Sequence, residues 1–162
     1  RAENFHFIHK RTLYFGLGLV GGKIKDTMSY SMQLQDHFEI VKSMIEQHVV
    51  VAQDVTSVVI FGHAFPVETQ DPFFVPLRQY LDEELDNKVP ILYLNGDYHK
   101  YEFEPNYLGL SNFQRLQVDF GTENPPLQVA VAASSSSTFN NNWNATEVFS
   151  HDRMLSNETI KN

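Results

Sequence analysis

Two short apolar runs, Ser57-Val58-Val59-Ile60-Phe61 and Ile91-Leu92-Tyr93-Leu94, end in the same manner. The first breaks at Gly62-His63, and the second breaks at Asn95-Gly96-Asp97 with His99 just beyond. Between them, residues 72–87 have the pattern of a helix, with Leu77, Tyr80, Leu81 and Leu85 on one stripe. A strand, a crossover helix and a second strand in one sheet close with a right-handed sense, which makes the strands parallel neighbours. Ligands of such sheets bind just past the carboxyl ends of the strands, where adjacent loops converge. His63, Asp97 and His99 are therefore expected to project into one crevice.

The remaining chain sets the frame around that unit. Residues 5–22 read as two extended runs joined near Lys10-Arg11 and ended by Gly21-Gly22, a β-hairpin. Over residues 31–52 the period changes. Leu34, Phe38, Val41, Ile45, Val49 and Ala52 recur at steps of three and four, the signature of an amphipathic helix. Asp71 can cap the following helix and Pro72 suits its first position, although Pro76 leaves its start open. Tyr101–Glu104, Phe113–Asp119 and Leu127–Ala133 read as three more strands in a meander. Residues 134–142 are rich in Ser and Asn, so 1–133 is read as the domain and 134–162 as a loop and tail, in which Val148–Leu155 can add a short element. The expected fold class is α/β, a β-sandwich-like arrangement with a strand-rich end, flanked by helices.

Composition narrows the function. The 162 residues carry a net charge of −8 with no run of Lys or Arg, which argues against binding to a nucleic-acid backbone. Small phosphate substrates stay open, because bound metal ions reverse the local field. No cysteine is present, so disulfides, thiolate nucleophiles and Cys-based zinc sites are excluded. No apolar stretch reaches the roughly 18–20 residues that span a bilayer. Nothing reads as a signal peptide, and the chain opens on Arg1, from which we expect a segment of a longer protein. The sequons Asn144-Ala145-Thr146 and Asn157-Glu158-Thr159 point weakly to secretion and glycosylation.

Imidazole and carboxylate suit zinc, iron or manganese, and a glycine before each polar residue leaves room beside an ion. Asp97 and His99 can point the same way if the extended backbone continues through the turn. An ordinary turn with solvated histidines is the competing reading. Of the other histidines, His6 and His9 are read as sharing the solvent face of a hairpin strand. His37 and His48 are read as surface or boundary residues of the first helix, and His151-Asp152-Arg153 as a solvated cluster. Gly16-x-Gly18 is not followed directly by a helix, so it does not make a dinucleotide loop. Phe73-Phe74 pack beneath the loop after His63 or form one wall of a pocket.

"VVIFGHAFP", followed about thirty residues later by "ILYLNGDYHKYEFE", resembles the C-terminal half of a calcineurin-like metallophosphoesterase domain. That superfamily includes purple acid phosphatases and many phosphodiesterases. "LYFGLGLVGGK" and the helix after it resemble the stretch preceding these motifs, so the likeness covers residues 5–133. The resemblance implies two divalent or trivalent metal ions (Fe, Zn or Mn) and a phosphoester substrate. His63 would match the single histidine that ligates one metal, and His99 the second histidine of Gly-His-x-His, a ligand of the other metal. Asp97 stands where the first histidine of that motif is usual, a change that alters charge and metal preference. Asn95, Tyr98 and Tyr101 are close by in sequence without an assignable role.

The superfamily's earlier motifs, Asp-x-His, Gly-Asp-x-x-Asp and Gly-Asn-His-Glu, have no counterpart around Asp26, Asp36 or Asp54. From this we expect the N-terminal half of the domain to be missing. We also expect an exposed strand edge and apolar face, and no complete dimetal centre in the chain alone. The functional expectation is a fragment of a metal-dependent phosphoester hydrolase that contributes His63, Asp97 and His99. A catalytically inactive scaffold or binding module is the alternative.

Overall fold

The computed structural model describes residues 4–86, 89–120, 124–132 and 148–153. Strands β1 (Phe5–His9) and β2 (Thr12–Gly16) form the expected hairpin, pairing antiparallel from Phe5↔Gly16 to His9↔Thr12. Helix α1 (Thr27–Ile45) follows and starts earlier than the apolar period implied. Asp26 caps it, accepting a bond of 3.0 Å from the Ser29 amide and so satisfying a donor that the first turn leaves free. One π-helical turn, Glu46–Val51, ends the segment, and β3 (Ser57–Phe61) comes next. Helix α2 (Asp71–Gln79) carries Pro72 in its first turn and tolerates Pro76 inside; a second π-helical turn extends it through Glu84. The remaining strands are β4 (Ile91–Asn95), β5 (Glu102–Glu104), β6 (Phe113–Gln117), β7 (Leu127–Val131) and β8 (Phe149–Arg153).

Six strands make one sheet in the order β1-β2-β3-β4-β6-β5. The inner four, β2, β3, β4 and β6, run parallel, and the crossover between β3 and β4 is the one expected from the two apolar runs. The last strands are not a meander. β6 inserts parallel to β4, and β5 pairs antiparallel on its outer edge. Every residue of β6 is buried, which is the mark of an interior strand covered on both faces. Alternation along a strand tells which way side chains point but not which strand lies alongside, so the neighbour order was not legible. β8 pairs antiparallel with β7 as a separate ribbon, so the chain past residue 133 adds a strand to the fold. Asn144, Asn157 and the whole Ser/Asn-rich segment 134–142 lie outside the described residues.

The sheet has two different faces. Leu13, Phe15, Val58, Ile60, Ile91, Tyr93 and Phe113 meet α1 and α2 through Leu34, Val41, Ile45, Phe73, Phe74 and Leu77. Burying each such aliphatic or aromatic side chain contributes about 1.5–3 kcal/mol. Phe73 and Phe74 are part of this core, with Phe74 edge-on to Tyr93 at 5.1 Å, and Phe74 also lines a surface groove with Pro66, Val67 and Tyr107. On the opposite face, Val59, Leu92 and Leu116 pack with Phe149, Leu127, Val129 and Val131 of the ribbon. The ribbon covers only part of that face. Beyond it, Phe5, Phe7, Tyr14 and Phe61 stack in a ladder, and Phe5, Phe7 and Phe61 stay 54%, 49% and 39% exposed.

Three histidine readings change. His37 is only 2% exposed and belongs to the buried stripe of α1, because it falls three residues after Leu34 and four before Val41. His151 does not stand in solvent alone: its Nδ1 is 3.0 Å from the Tyr101 hydroxyl and its ring lies 4.4 Å from that of Phe103. His6 and His9 are exposed as expected, but a strand's period of two puts them on opposite faces, beside Phe15 and Thr12.

Candidate functional site

Three loops converge at the carboxyl ends of β2, β3 and β4. Parallel pairing brings them together, since Gly16 is level with Phe61 and Phe61 with Leu94. The pairing continues past the strands. The amides of His63 and Ala64 donate to the Leu19 carbonyl at 2.9 Å, and the Gly96 amide donates to the His63 carbonyl at 3.3 Å. Tyr93 supports the middle loop from below, donating its hydroxyl to the Ala64 carbonyl at 2.7 Å. Burial drives the Tyr93 hydroxyl well above the usual range, so it stays protonated and keeps donating. Gly62 is required by this packing, because a Cβ there would lie 2.8 Å from the Tyr93 hydroxyl and 2.9 Å from Leu19.

On that platform the structure brings His63 and Asp97 together. His63 Nε2 is 3.6 Å from Asp97 Oδ1, and the two side chains are 59% and 21% exposed. The distance is longer than a good hydrogen bond, so this is a facing charge and ring rather than a bonded dyad. Asp97 Oδ2 accepts from the Phe65 amide at 3.2 Å. His99 does not join the pair. The backbone turns at 97–98 and His99 takes a left-handed conformation (φ 54°), which ends the extended run that would have aligned it with Asp97. Its ring instead lies against Phe120, with centroids 4.0 Å apart. Among the described residues, no three His, Asp or Glu side chains gather into a group able to hold a metal ion.

The surroundings hold residues that spacing did not single out. Phe65 stacks on Tyr98 at 4.4 Å, and the Arg115 guanidinium lies 4.6 Å from the Phe65 ring. Arg115 is fully buried. It donates to Glu104 at 2.8 Å, to Glu102 at 2.5 Å and, more weakly, to Asn95 Oδ1 at 3.4 Å. Desolvation would lower its pKa, but the hydrogen bonds it donates to Glu104 and Glu102 outweigh it and hold the cation firmly. Asn95 also donates to Gln117 at 2.9 Å, so it ties β4 to β6 beneath the loops. The only sequence signal for Arg115 was a cation at a strand position that alternation points inward, opposite two glutamates whose register was unknown.

No family model matches the chain, and no curated protein matches it. Among solved structures it is similar to a 5'-nucleotidase from Candida albicans SC5314, with a TM-score of 0.56 and 16% sequence identity. The match covers 92% of this chain and 26% of that one, so this chain spans about a quarter of the length of that enzyme. At this identity the likeness shows the fold alone, a mixed α/β scaffold.

Proposed function

We propose that the chain forms the C-terminal part of a metal-dependent phosphoester hydrolase domain, a phosphatase or phosphodiesterase. Its share of a two-metal centre is the His63–Asp97 pair. The observation that carries this reading is the meeting of two parallel strand ends where His63 Nε2 and Asp97 Oδ1 stand 3.6 Å apart, on a scaffold similar to part of a nucleotidase. Bonds of about 2.0–2.2 Å from imidazole nitrogen and carboxylate oxygen suit a single cation shared across such a gap. Iron, zinc or manganese fits this donor set. Bound metal ions would supply an activated water and offset charge at phosphorus. The chain's own contribution is to hold two donors on strand ends braced by the Leu19, Ala64 and Gly96 backbone. The remaining donors are assigned to polypeptide outside this chain, the N-terminal half of the same domain. Its strands would also cover the ladder of Phe5, Phe7, Tyr14 and Phe61.

A noncatalytic scaffold is the second reading, favoured by His99 resting on Phe120 and by the Phe65 amide bond to Asp97. The test is H63A in the full-length protein, measuring p-nitrophenyl phosphate and bis-p-nitrophenyl phosphate hydrolysis together with bound metal. The expected outcome is a loss of about 10–100-fold or more in activity and less bound metal at an unchanged melting temperature. Hydrolysis equal to wild type would sink the enzyme reading of this site, and the expected loss with folding retained would sink the scaffold reading.

A further inference from the structure

The Asp97 carboxylate sits where all three strand-end loops meet, and its contacts are of three kinds. Oδ2 accepts the Phe65 amide at 3.2 Å from the loop after β3. Oδ1 faces His63 Nε2 at 3.6 Å. The third contact is with backbone alone: a Cβ at Gly21, in the loop after β2, would stand 2.2 Å from Oδ2, 2.5 Å from Cγ and 2.6 Å from Oδ1. No side chain tolerates such distances, so the carboxylate occupies the space that the absent side chain of Gly21 leaves. The neighbouring loop bonds, His63 and Ala64 to Leu19 and Gly96 to His63, keep all three segments within reach of one another.

We infer that Gly21 and Asp97 form an interlocked pair that positions His63. The bare backbone at 21 admits the carboxylate, the carboxylate holds the 63–65 segment through the Phe65 amide, and the imidazole is thereby set at the mouth of the site. Asp97 then positions His63 through Oδ2, in addition to the donor role proposed for Oδ1, and Gly21 is a position where any other residue displaces the carboxylate. The inference rests on the proposed role of His63 for its functional meaning, but the interlock itself needs neither metal nor substrate.

The test is a thermodynamic cycle on the full chain in EDTA-treated buffer, with G21A, D97A and the double variant unfolded in urea. G21A should lower the midpoint in the wild-type background and have little further effect beside D97A, because the space freed by the carboxylate accepts the methyl group. Additive effects would overturn the interlock, since independent sites add. Site geometry is read by NMR. D97A should speed hydrogen exchange of the Phe65 amide by about tenfold and move the His63 ring resonances, while D97N, which keeps an acceptor oxygen, should preserve Phe65 protection. If D97A leaves both the Phe65 exchange and the His63 resonances unmoved, the proposal is wrong. Should G21A fail to fold, the contrast of D97A with D97N decides by the same two signals. A catalytically silent H63A would leave the interlock standing, and an additive cycle would leave the hydrolase reading standing.

Discussion

His37 is buried in the middle of α1 with no partner for its Nδ1 among the described residues, and burial holds its pKa below the usual 6.5 despite the opposing pull of Asp36. The protonated form is disfavoured in the folded state and free to form in the unfolded one. Between the two pKa values the unfolded chain therefore binds more protons, and stability rises with pH. The His37 contribution is fully present above about pH 6.5 and is lost as pH falls toward the folded value. Urea midpoints at pH 5 and pH 7 should differ less in H37M than in the parent chain; an equal difference would show that His37 does not titrate on unfolding. The stripe containing His37 was legible in the sequence, but its membership was not. A histidine counts as polar in a periodicity argument, and only the packing against the sheet decides whether its ring is covered.

At the scale of elements, the hairpin is where sequence and backbone disagree most. Lys10 and Arg11 form the two-residue connection between β1 and β2 with φ of 47° and 64°. Positive φ at both central residues matches the twist of the flanking strands and is the geometry that favours Asn-Gly. Lys and Arg adopt it against their preference, so K10N/R11G should stabilise the chain by about 0.5–1 kcal/mol, read as a higher urea midpoint. The position of this turn was legible from the strands on either side, as was the parallel β3–α2–β4 unit. The insertion of β6 between β4 and β5 was not. It depends on pairing between strands separated by the 3-10 turn Tyr107–Gly109, and such pairing leaves no local pattern.

For the molecule as a whole, the unfinished face is the dominant feature. β7 and β8 cover one part of the sheet, and a cavity of about 460 Å³ lies between the sheet and the ribbon, lined by Tyr14, Val59, Phe61, Leu94, Val118 and Val129 among others. Next to it the aromatic ladder is open to solvent. Contiguous exposed apolar surface of this kind promotes association. The chain on its own should self-associate with rising concentration, and F7K/F61K should reduce that association in sedimentation velocity without lowering the melting temperature, because both rings are substantially exposed. A wild-type chain that stays monomeric at high concentration would count against this. Among the described residues, no helix is long and apolar enough to cross a membrane.

Period, length and turn chemistry are local properties, and they were enough to determine the α/β class, the hairpin, both helices and the two glycine-ended strands that carry His63 and Asp97. Local pattern could not determine what the tertiary structure decides. The turn after Asp97 swings His99 onto Phe120, the sheet register puts Arg115 beneath Phe65, and the convergence of three loops seats one carboxylate in the space left by Gly21. Each of these depends on contacts between residues far apart in the chain, where distance in space is set by packing and not by spacing in the sequence.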